Sequence, residues 1–424
     1  MRNRQALILL FTAHGISGLA QGISMLAIPW YFAQHQTSGE FNFVYALITF
    51  LTLFWGLAAG AIVDRFKRKY IFLITNIIEG LILSGVAYIG WSTGSLSDAL
   101  ILFVFALTFF GFNLHYPNLY ALSQEITLPE HYSKITSYIE IVGQSTNVAS
   151  GAMAALLLSG IDRDIAFELF GGDFEWSIHI SPWPLYKIFT VDAATYFISL
   201  LLIWFIRYEP IIRIHIDRDN FFNRVKTGFS FLRKHREVFM FGLFSYSIFV
   251  VVLVNLHAIT PLYIANHLKL GGNIFGTMQM FYAFGAVSAG MFVRKVFSDT
   301  SMPIAVIIMM FVTTISLFAG IFITTAPLYF LIGYLMGFTN AGTRVLRTAF
   351  LFKTVPNQLI GRVNSIFDVT NVMLRTAFIM LFSLPFFITG DNIKYAYVAT
   401  GLFTLFSAFM LIWDYKKLHK KKMA

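Results

Sequence analysis

The sequence predicts an all-α, polytopic membrane protein whose twelve transmembrane helices form two pseudo-symmetric six-helix bundles. Three observations support this fold class: an apolar composition, a series of apolar runs long enough to cross a bilayer, and a repeat that relates the two halves of the chain. Of the 424 residues, 57% are hydrophobic and only 12% are charged, and the mean hydropathy is +0.70. This composition leaves too few polar side chains to cover a water-facing surface, so an ordinary soluble protein is excluded.

The first apolar run, residues 6–31, is predicted to be a retained transmembrane helix. It is too long for the apolar core of a signal peptide, and no convincing small-residue cleavage site follows it. Because roughly 20 apolar residues cross a bilayer, eleven further runs are predicted to span as well. They are residues 42–63, 70–92, 98–124, 137–160, 185–206, 237–264, 272–293, 303–325, 327–351, 363–389 and 394–413.

The basic residues indicate the orientation of these helices. With the N-terminus in the cytoplasm, 24 of the 31 lysines and arginines fall in cytoplasmic segments, four fall on the opposite side and three lie within spans. The positive-inside rule describes this asymmetry, so both termini are predicted to be cytoplasmic. Topology thereby accounts for the net charge of +10, and no nucleic-acid partner is predicted.

A repeat predicts the domain boundaries. Gly111-Phe112-Asn113 and the later Leu128-Pro129-Glu130 correspond to Gly337-Phe338-Thr339 and Val355-Pro356-Asn357, at offsets of 226 and 227 residues. Two halves related by an axis along the membrane normal are a known transporter architecture. We therefore predict a six-helix bundle over residues 1–206 and a second one, with a basic cytoplasmic tail, over 237–424. Residues 207–236 are predicted to form a basic amphipathic linker on the inner membrane surface.

The most specific motif lies between the second and third spans and reads Gly60-Ala61-Ile62-Val63-Asp64-Arg65-Phe66-Lys67-Arg68-Lys69. It resembles the signature loop of the major facilitator superfamily, although Lys67 stands where that family usually has a second glycine. A small residue permits close helix packing, and an aspartate can pair with a helix N-terminus or a cation. The resemblance implies a gating role for Gly60, Asp64, Arg65 and Arg68. The alternative is that the basic residues only fix the orientation.

Further sequence segments narrow the resemblance to one branch of the superfamily. The connectors at residues 128–130 and 355–357, the sixth-span stretch 191–199 and the linker stretch 228–236 are similar to the branch that holds macrolide-efflux proteins and the enterobactin exporter. That branch implies a bacterial inner-membrane protein that exports a small molecule by alternating access. One departure concerns the fifth span, where Gly151 stands in place of the proline of the drug–proton antiporter motif. Proton antiport is therefore a hypothesis.

Ionisable residues within spans are functional candidates because they are costly to bury in a bilayer. Arg344 and Arg347 share one face of the tenth span, and Asp368 and Arg375 share one face of the eleventh. The resemblance places spans one, four, seven and ten around the cavity, which adds His14, His115 and His257.

Two interpretations of these residues stay open. The arginines either bind an anionic cargo or pair with Asp368, Glu125 or Glu140 as structural locks, and each histidine is either a site residue or a hydrogen-bonded packing residue. Asp368 is the predicted proton carrier, with Glu140, its counterpart in the repeat, as the next candidate. Glu79 and Asp192 lie on helices that are peripheral in the family, and packing roles are predicted for them.

Enzyme motifs are absent from the sequence. It has no cysteine, no phosphate-binding Gly-Lys-Ser/Thr string and no His-Glu-x-x-His, so no catalytic residue, metal site or cofactor is predicted. The predicted function is ion-coupled export of a siderophore or a drug-like compound. The alternatives are a nutrient or metabolite importer of the same fold and a transport-inactive membrane sensor or scaffold. For the outer segment 161–184 we predict no role beyond a cap at the membrane interface.

Overall fold

The computed structural model describes residues 3–169, 172–208 and 221–423. In the first half of the chain it contains six long helices, and their bounds are α1 Arg4–Gln34, α2 Ser38–Arg65, α3 Arg68–Thr93, α4 Asp98–Glu125, α5 Tyr132–Ser159 and α6 Leu185–Trp204. Each of them contains most of one predicted apolar run. Short connectors separate the helices, apart from the longer segment between α5 and α6.

That longer segment forms a two-stranded antiparallel hairpin, which the sequence analysis does not predict. Strand β1 (Ile161–Leu169) pairs with β2 (Gly172–Ile180), with Ile161 opposite Ile180 and Leu169 opposite Gly172. The many acidic residues of the segment hide its alternating pattern, which is the strand signal.

The second half begins with the amphipathic helix α7 (Phe221–Lys234) and continues with further helices. Their bounds are α8 Arg236–Ser245, α9 Ser247–Val254, α10 Thr260–Leu262, α11 Gly272–Val296, α12 Met302–Ala319, α13 Ala326–Thr354, α14 Asn357–Phe382, α15 Pro385–Ile388 and α16 Lys394–Met423. The predicted linker thus contains a helix, while its residues 209–220 lie outside the described residues. Leu232 of α7 is buried with Val238, Leu351 and Val363, which seats α7 on the helices that follow it.

The seventh span is one helical rod, Arg236–Leu268, with two π-helical turns at Asn255–Ile259 and Tyr263–Leu268. Pro261 lies between the two turns, and a proline inside a helix removes one backbone donor. The side-chain amide nitrogen of Asn255 donates to the carbonyl oxygen of Val251 at 3.1 Å. Side-chain bonds of this kind satisfy backbone groups that an interrupted helix leaves free.

Among the described residues, ten helical segments are long and apolar enough to cross a membrane. Helices α11 and α13 have 25 and 29 residues, so they are long enough to cross a membrane, but they are not apolar enough to belong to these ten. Glycines along α11, and Arg344 and Arg347 in α13, lower their apolar content. With these two helices the described chain contains the twelve long helical segments that the sequence predicts.

The described chain divides into two compact units. Unit 1 comprises Met1–Phe32, Arg65–Arg213 and Lys269–Met280, and unit 2 comprises Ala33–Asp64, Ile214–Leu268 and Phe281–Ala424. The sequence-based boundaries at residues 206 and 237 stay a prediction.

Within unit 1, α5 and the start of α11 touch through their backbones. A Cβ atom added at Gly276 would lie 2.3 Å from the backbone nitrogen of Ala155, and one added at Gly151 would lie 2.9 Å from the carbonyl oxygen of Gly276. Only glycine allows so close an approach. Gly151 thus serves helix packing at the position where the antiporter motif has proline.

Candidate functional site

The signature segment joins α2 to α3, and two of its basic residues hold neighbouring helices. Arg68 Nη1 lies 2.8 Å from Glu125 Oε2 of α4. Lys69 Nζ donates to the carbonyl oxygens of Trp204 and Ile206, both at 2.9 Å. A cation placed on these carbonyls complements the negative end of α6.

The same segment has exposed members as well. Asp64 and Arg65 are exposed, and among the described residues a Cβ added at Gly60 would have no neighbour within 4 Å. Beside the Arg68 pair, burial and the neighbouring Glu125 carboxylate raise the pKa of Tyr208 above its ordinary value, against the effect of Arg68. The gating roles of Gly60, Asp64, Arg65 and Arg68 stay predictions.

Two of the three predicted histidines meet in unit 1. His14 Nδ1 of α1 lies 3.0 Å from His115 Nε2 of α4, and the rings of Tyr116 and Phe72 surround the pair. One of the two nitrogens must donate and the other accept, so the bond requires a neutral ring on the accepting side. His257 lies in unit 2, where its ring centroid is 5.7 Å from that of Tyr45.

Four predicted charged residues of unit 2 interact through space. Asp368 lies within Coulombic range of Arg347 and Arg375, and Arg344 lies within that range of Arg347. We call Arg344, Arg347, Asp368 and Arg375 the cationic cluster, because it combines three guanidinium groups with one carboxylate.

The members of the cationic cluster differ in their surroundings. Arg347 is only 5% exposed, its Cζ lies 3.6 Å from the ring centroid of Tyr246, and its Nη1 donates to the carbonyl oxygen of Ser245 at 3.2 Å. Arg344 and Asp368 are exposed. Among the described residues, the buried Nε of Arg375 has no hydrogen-bond partner. The cluster therefore retains one buried donor, Nε of Arg375, for a further acceptor.

Of the acids considered as lock partners, Asp368 joins this cluster. Glu125 pairs with Arg68 in unit 1, and Glu140 accepts a hydrogen bond from the Tyr120 hydroxyl at 3.2 Å.

The sequence analysis did not predict two groups of interacting polar residues. At the start of α16, Asp391 contacts His267 and accepts a 2.6 Å hydrogen bond from Lys394. Burial acts to raise the pKa of Asp391, but the hydrogen bonds from Lys394 and His267 outweigh it and hold that pKa below its usual range. The second group joins Glu79, Asp192 and Tyr196 in unit 1. The sequence signal for it was the i, i+4 spacing of Asp192 and Tyr196 on an otherwise apolar helix.

The long apolar helices define a polytopic membrane protein. The family model described as Major Facilitator Superfamily matches residues 10–377, and the chain belongs to that superfamily. The predicted family and fold class are thereby confirmed.

Two relatives are efflux proteins. Macrolide efflux protein A of Streptococcus pyogenes is 22% identical over 258 residues, which cover 60% of this chain and 57% of that protein. Multidrug efflux pump Tap of Mycobacterium tuberculosis is 29% identical over 106 residues, 25% of each chain. The chain thus spans about a quarter to about three fifths of the length of these relatives. The predicted likeness to macrolide-efflux proteins is confirmed, and the likeness to the enterobactin exporter stays a prediction.

Solved structures agree on the fold. A mutant of the nucleoside transporter NupG has a TM-score of 0.71 at 13% identity, and the match covers 96% of this chain and 99% of that one. A bacterial homologue of the iron transporter ferroportin has a TM-score of 0.72 at 13% identity, with 97% and 99% covered. At this identity the likeness concerns the fold alone.

Proposed function

We propose that this multi-pass membrane protein exports a small organic molecule across a bacterial inner membrane, with both termini in the cytoplasm, and that its cargo carries negative charge. An ion gradient drives the export. The observation that carries the proposal is the cationic cluster, in which Asp368 lies within Coulombic range of Arg347 and Arg375 and the buried Nε of Arg375 has no hydrogen-bond partner among the described residues.

A buried guanidinium needs an acceptor for each of its donors, or it loses the solvation that water gave it. The ring of Tyr246 and the Ser245 carbonyl oxygen interact with part of the Arg347 guanidinium. Among the described residues, Nε of Arg375 has no acceptor. A carboxylate or phosphate on the cargo fits the planar fork of an arginine and would complete the charge balance of the cluster.

A second candidate is export of a lipophilic drug, as the names of the macrolide and multidrug efflux relatives suggest. In that case Asp368 and the aromatic ring of Tyr246 neutralise the arginines, and the cluster acts as a lock. A siderophore belongs to the first candidate and a macrolide to the second. An importer of the same fold, and a sensor without transport activity, are the remaining alternatives.

The test uses the full-length protein in proteoliposomes, with citrate as the polyanionic probe and erythromycin as the macrolide probe. We expect citrate to be transported and to compete for the site. Arg344→Gln and Arg347→Gln should each weaken citrate binding by about 1–3 kcal/mol, or roughly 5- to 150-fold. Lys353→Gln is the matched control, because Lys353 is an exposed basic residue of the same helix α13.

Equal citrate binding in the two arginine variants and the parent would contradict the proposal. Transport of erythromycin alone, unchanged by either substitution, would favour the drug candidate. Transport in the inward direction only, measured in right-side-out and inverted vesicles, would favour the importer. Neither probe moving under any ion gradient would favour the sensor.

A further inference from the structure

A buried polar network connects α1, α3 and α6 within unit 1. The Ser24 hydroxyl donates to Asp192 Oδ2 at 2.6 Å, and Gln21 Nε2 donates to the Tyr196 hydroxyl at 2.9 Å. The Tyr196 hydroxyl in turn lies within hydrogen-bonding reach of Glu79. Asp192 is 0% exposed and Glu79 is 8% exposed, so two carboxyl groups share one enclosed space.

This network contains two acids and no base. Among the described residues, no lysine, arginine or histidine forms an ion pair with Glu79 or Asp192. The titratable side chain that faces them from α6 is Tyr196. The histidines of α1 and α4 are His14 and His115, and they bond to each other.

The packing leaves room for this chemistry. Gly111 of α4 faces the Glu79 carboxyl, and a Cβ added there would lie 2.6 Å from Oε1. Oδ1 of Asp192 is buried and has no partner among the described residues. This carboxylate oxygen is an acceptor to which no described donor bonds.

Two carboxylates within Coulombic range of each other, out of water and without a cation, cannot both stay ionised at low cost. The ligand that removes the charge while keeping these contacts is a proton, which converts one carboxylate to a neutral carboxylic acid. Asp368 differs from this pair because Arg347 and Arg375 balance its charge.

We propose that Glu79 and Asp192 form the proton-binding site that couples transport to the proton gradient. The coupling half of this inference rests on the proposed function. In each cycle a proton from water bonds to a carboxylate oxygen, and later the same O–H bond breaks to return the proton to water on the other side. Ser24 and Gln21 pass the change of charge to α1, a helix that lines the cavity in the resembled family.

The first test detects the proton without any cargo. Infrared spectroscopy of the purified full-length protein follows the carbonyl stretch of a protonated carboxyl group while the pH is raised from about 5 to about 9, the range in which buried acids titrate. We expect a protonated-carboxyl band that disappears across this range and that is lost in Asp192→Asn and in Glu79→Gln. Asp414→Asn is the control, because Asp414 is a buried acid that has a cation, Arg236 Nε at 3.2 Å.

Two milder variants keep the test decisive if the acid variants fold poorly. Ser24→Ala removes one donor to the Asp192 carboxylate, so the band should persist to higher pH. Gly111→Ala crowds the Glu79 carboxyl and should move the titration midpoint without removing an acid. Absence of the band at every pH, or a band unaffected by all four variants, would overturn the proton site.

The second test measures coupling in proteoliposomes with whichever of the two probes, citrate or erythromycin, the parent transports. One proton exchanged per cargo under a pH difference of one unit sustains about a tenfold cargo gradient. We expect Asp192→Asn and Glu79→Gln to reduce this ratio to about one while cargo exchange continues. Accumulation that survives in both variants, that is lost in Asp368→Asn alone, or that follows a sodium gradient would overturn the coupling role. An infrared band without transport of either probe would leave the proton site standing and overturn the proposed function.

Discussion

The ion pair between Arg68 and Glu125 offers a direct test of how the signature segment is held. The two charged atoms are 2.8 Å apart, and the side chains are 15% and 14% exposed. Exposed ion pairs contribute about 0.2–1 kcal/mol, whereas removing one partner of a buried pair costs about 3–5 kcal/mol. Because both side chains are largely shielded from water, we expect Glu125→Gln to lower the free energy of unfolding by about 2–3 kcal/mol.

A double-mutant cycle separates the pair from other effects of each substitution. The parent, Arg68→Gln, Glu125→Gln and the double variant are unfolded in mixed micelles, with tryptophan fluorescence as the signal. We expect a coupling energy of at least about 1 kcal/mol, within the range for residues in contact. Arg65→Gln is the control, since Arg65 is an exposed neighbour in the same segment. A coupling energy below about 0.3 kcal/mol, the additivity expected for independent sites, would refute the reasoning.

Three further predictions concern other parts of the molecule. The pKa of Asp391 is lowered in the fold, so its bonds stabilise the protein above the unfolded pKa of about 4 and are lost as the pH falls through the lower folded value. Asp391→Asn should therefore remove part of the loss of stability on acidification, and thermal unfolding with an unchanged dependence on acid pH would contradict this. Gly276→Val should destabilise the protein by about 1–3 kcal/mol or more through overpacking against the Ala155 backbone. Gly290→Ala on the same helix should not, because a Cβ there meets no atom within 4 Å, and equal unfolding midpoints of the two variants would count against the close contact. Asp64→Asn should shift the equilibrium between inward and outward conformations, read by labelling of single cysteines placed in the cysteine-free chain, and labelling identical to the parent on both faces would exclude the gate role.

The helices were predictable because length and apolar composition suffice to indicate a membrane span. The paired strands β1 and β2 were missed because the charged residues of this segment obscure its alternation of apolar and polar side chains. The two π-helical turns were missed because only Pro261 signals a disturbance, and a proline does not specify the hydrogen-bond pattern around it.

The candidate site, like the fold, could be predicted from the sequence only in part. Residues on one helix can be grouped from their spacing, since helical geometry fixes which side chains share a face; Arg344 and Arg347, three residues apart, lie within Coulombic range of each other. Glu79 and Asp192 lie on different helices, and their meeting depends on how α3 packs against α6. No spacing in the sequence encodes that contact, and the two acids were therefore assigned packing roles one at a time.

The two π-helical turns of the Arg236–Leu268 rod change the direction in which its side chains face. Each such turn inserts one extra residue, which rotates the downstream face by about 100°. Side chains before Asn255 and after Tyr263 therefore do not follow one helical wheel. The two ends of the rod therefore present side chains in directions that a continuous α-helix would not give them.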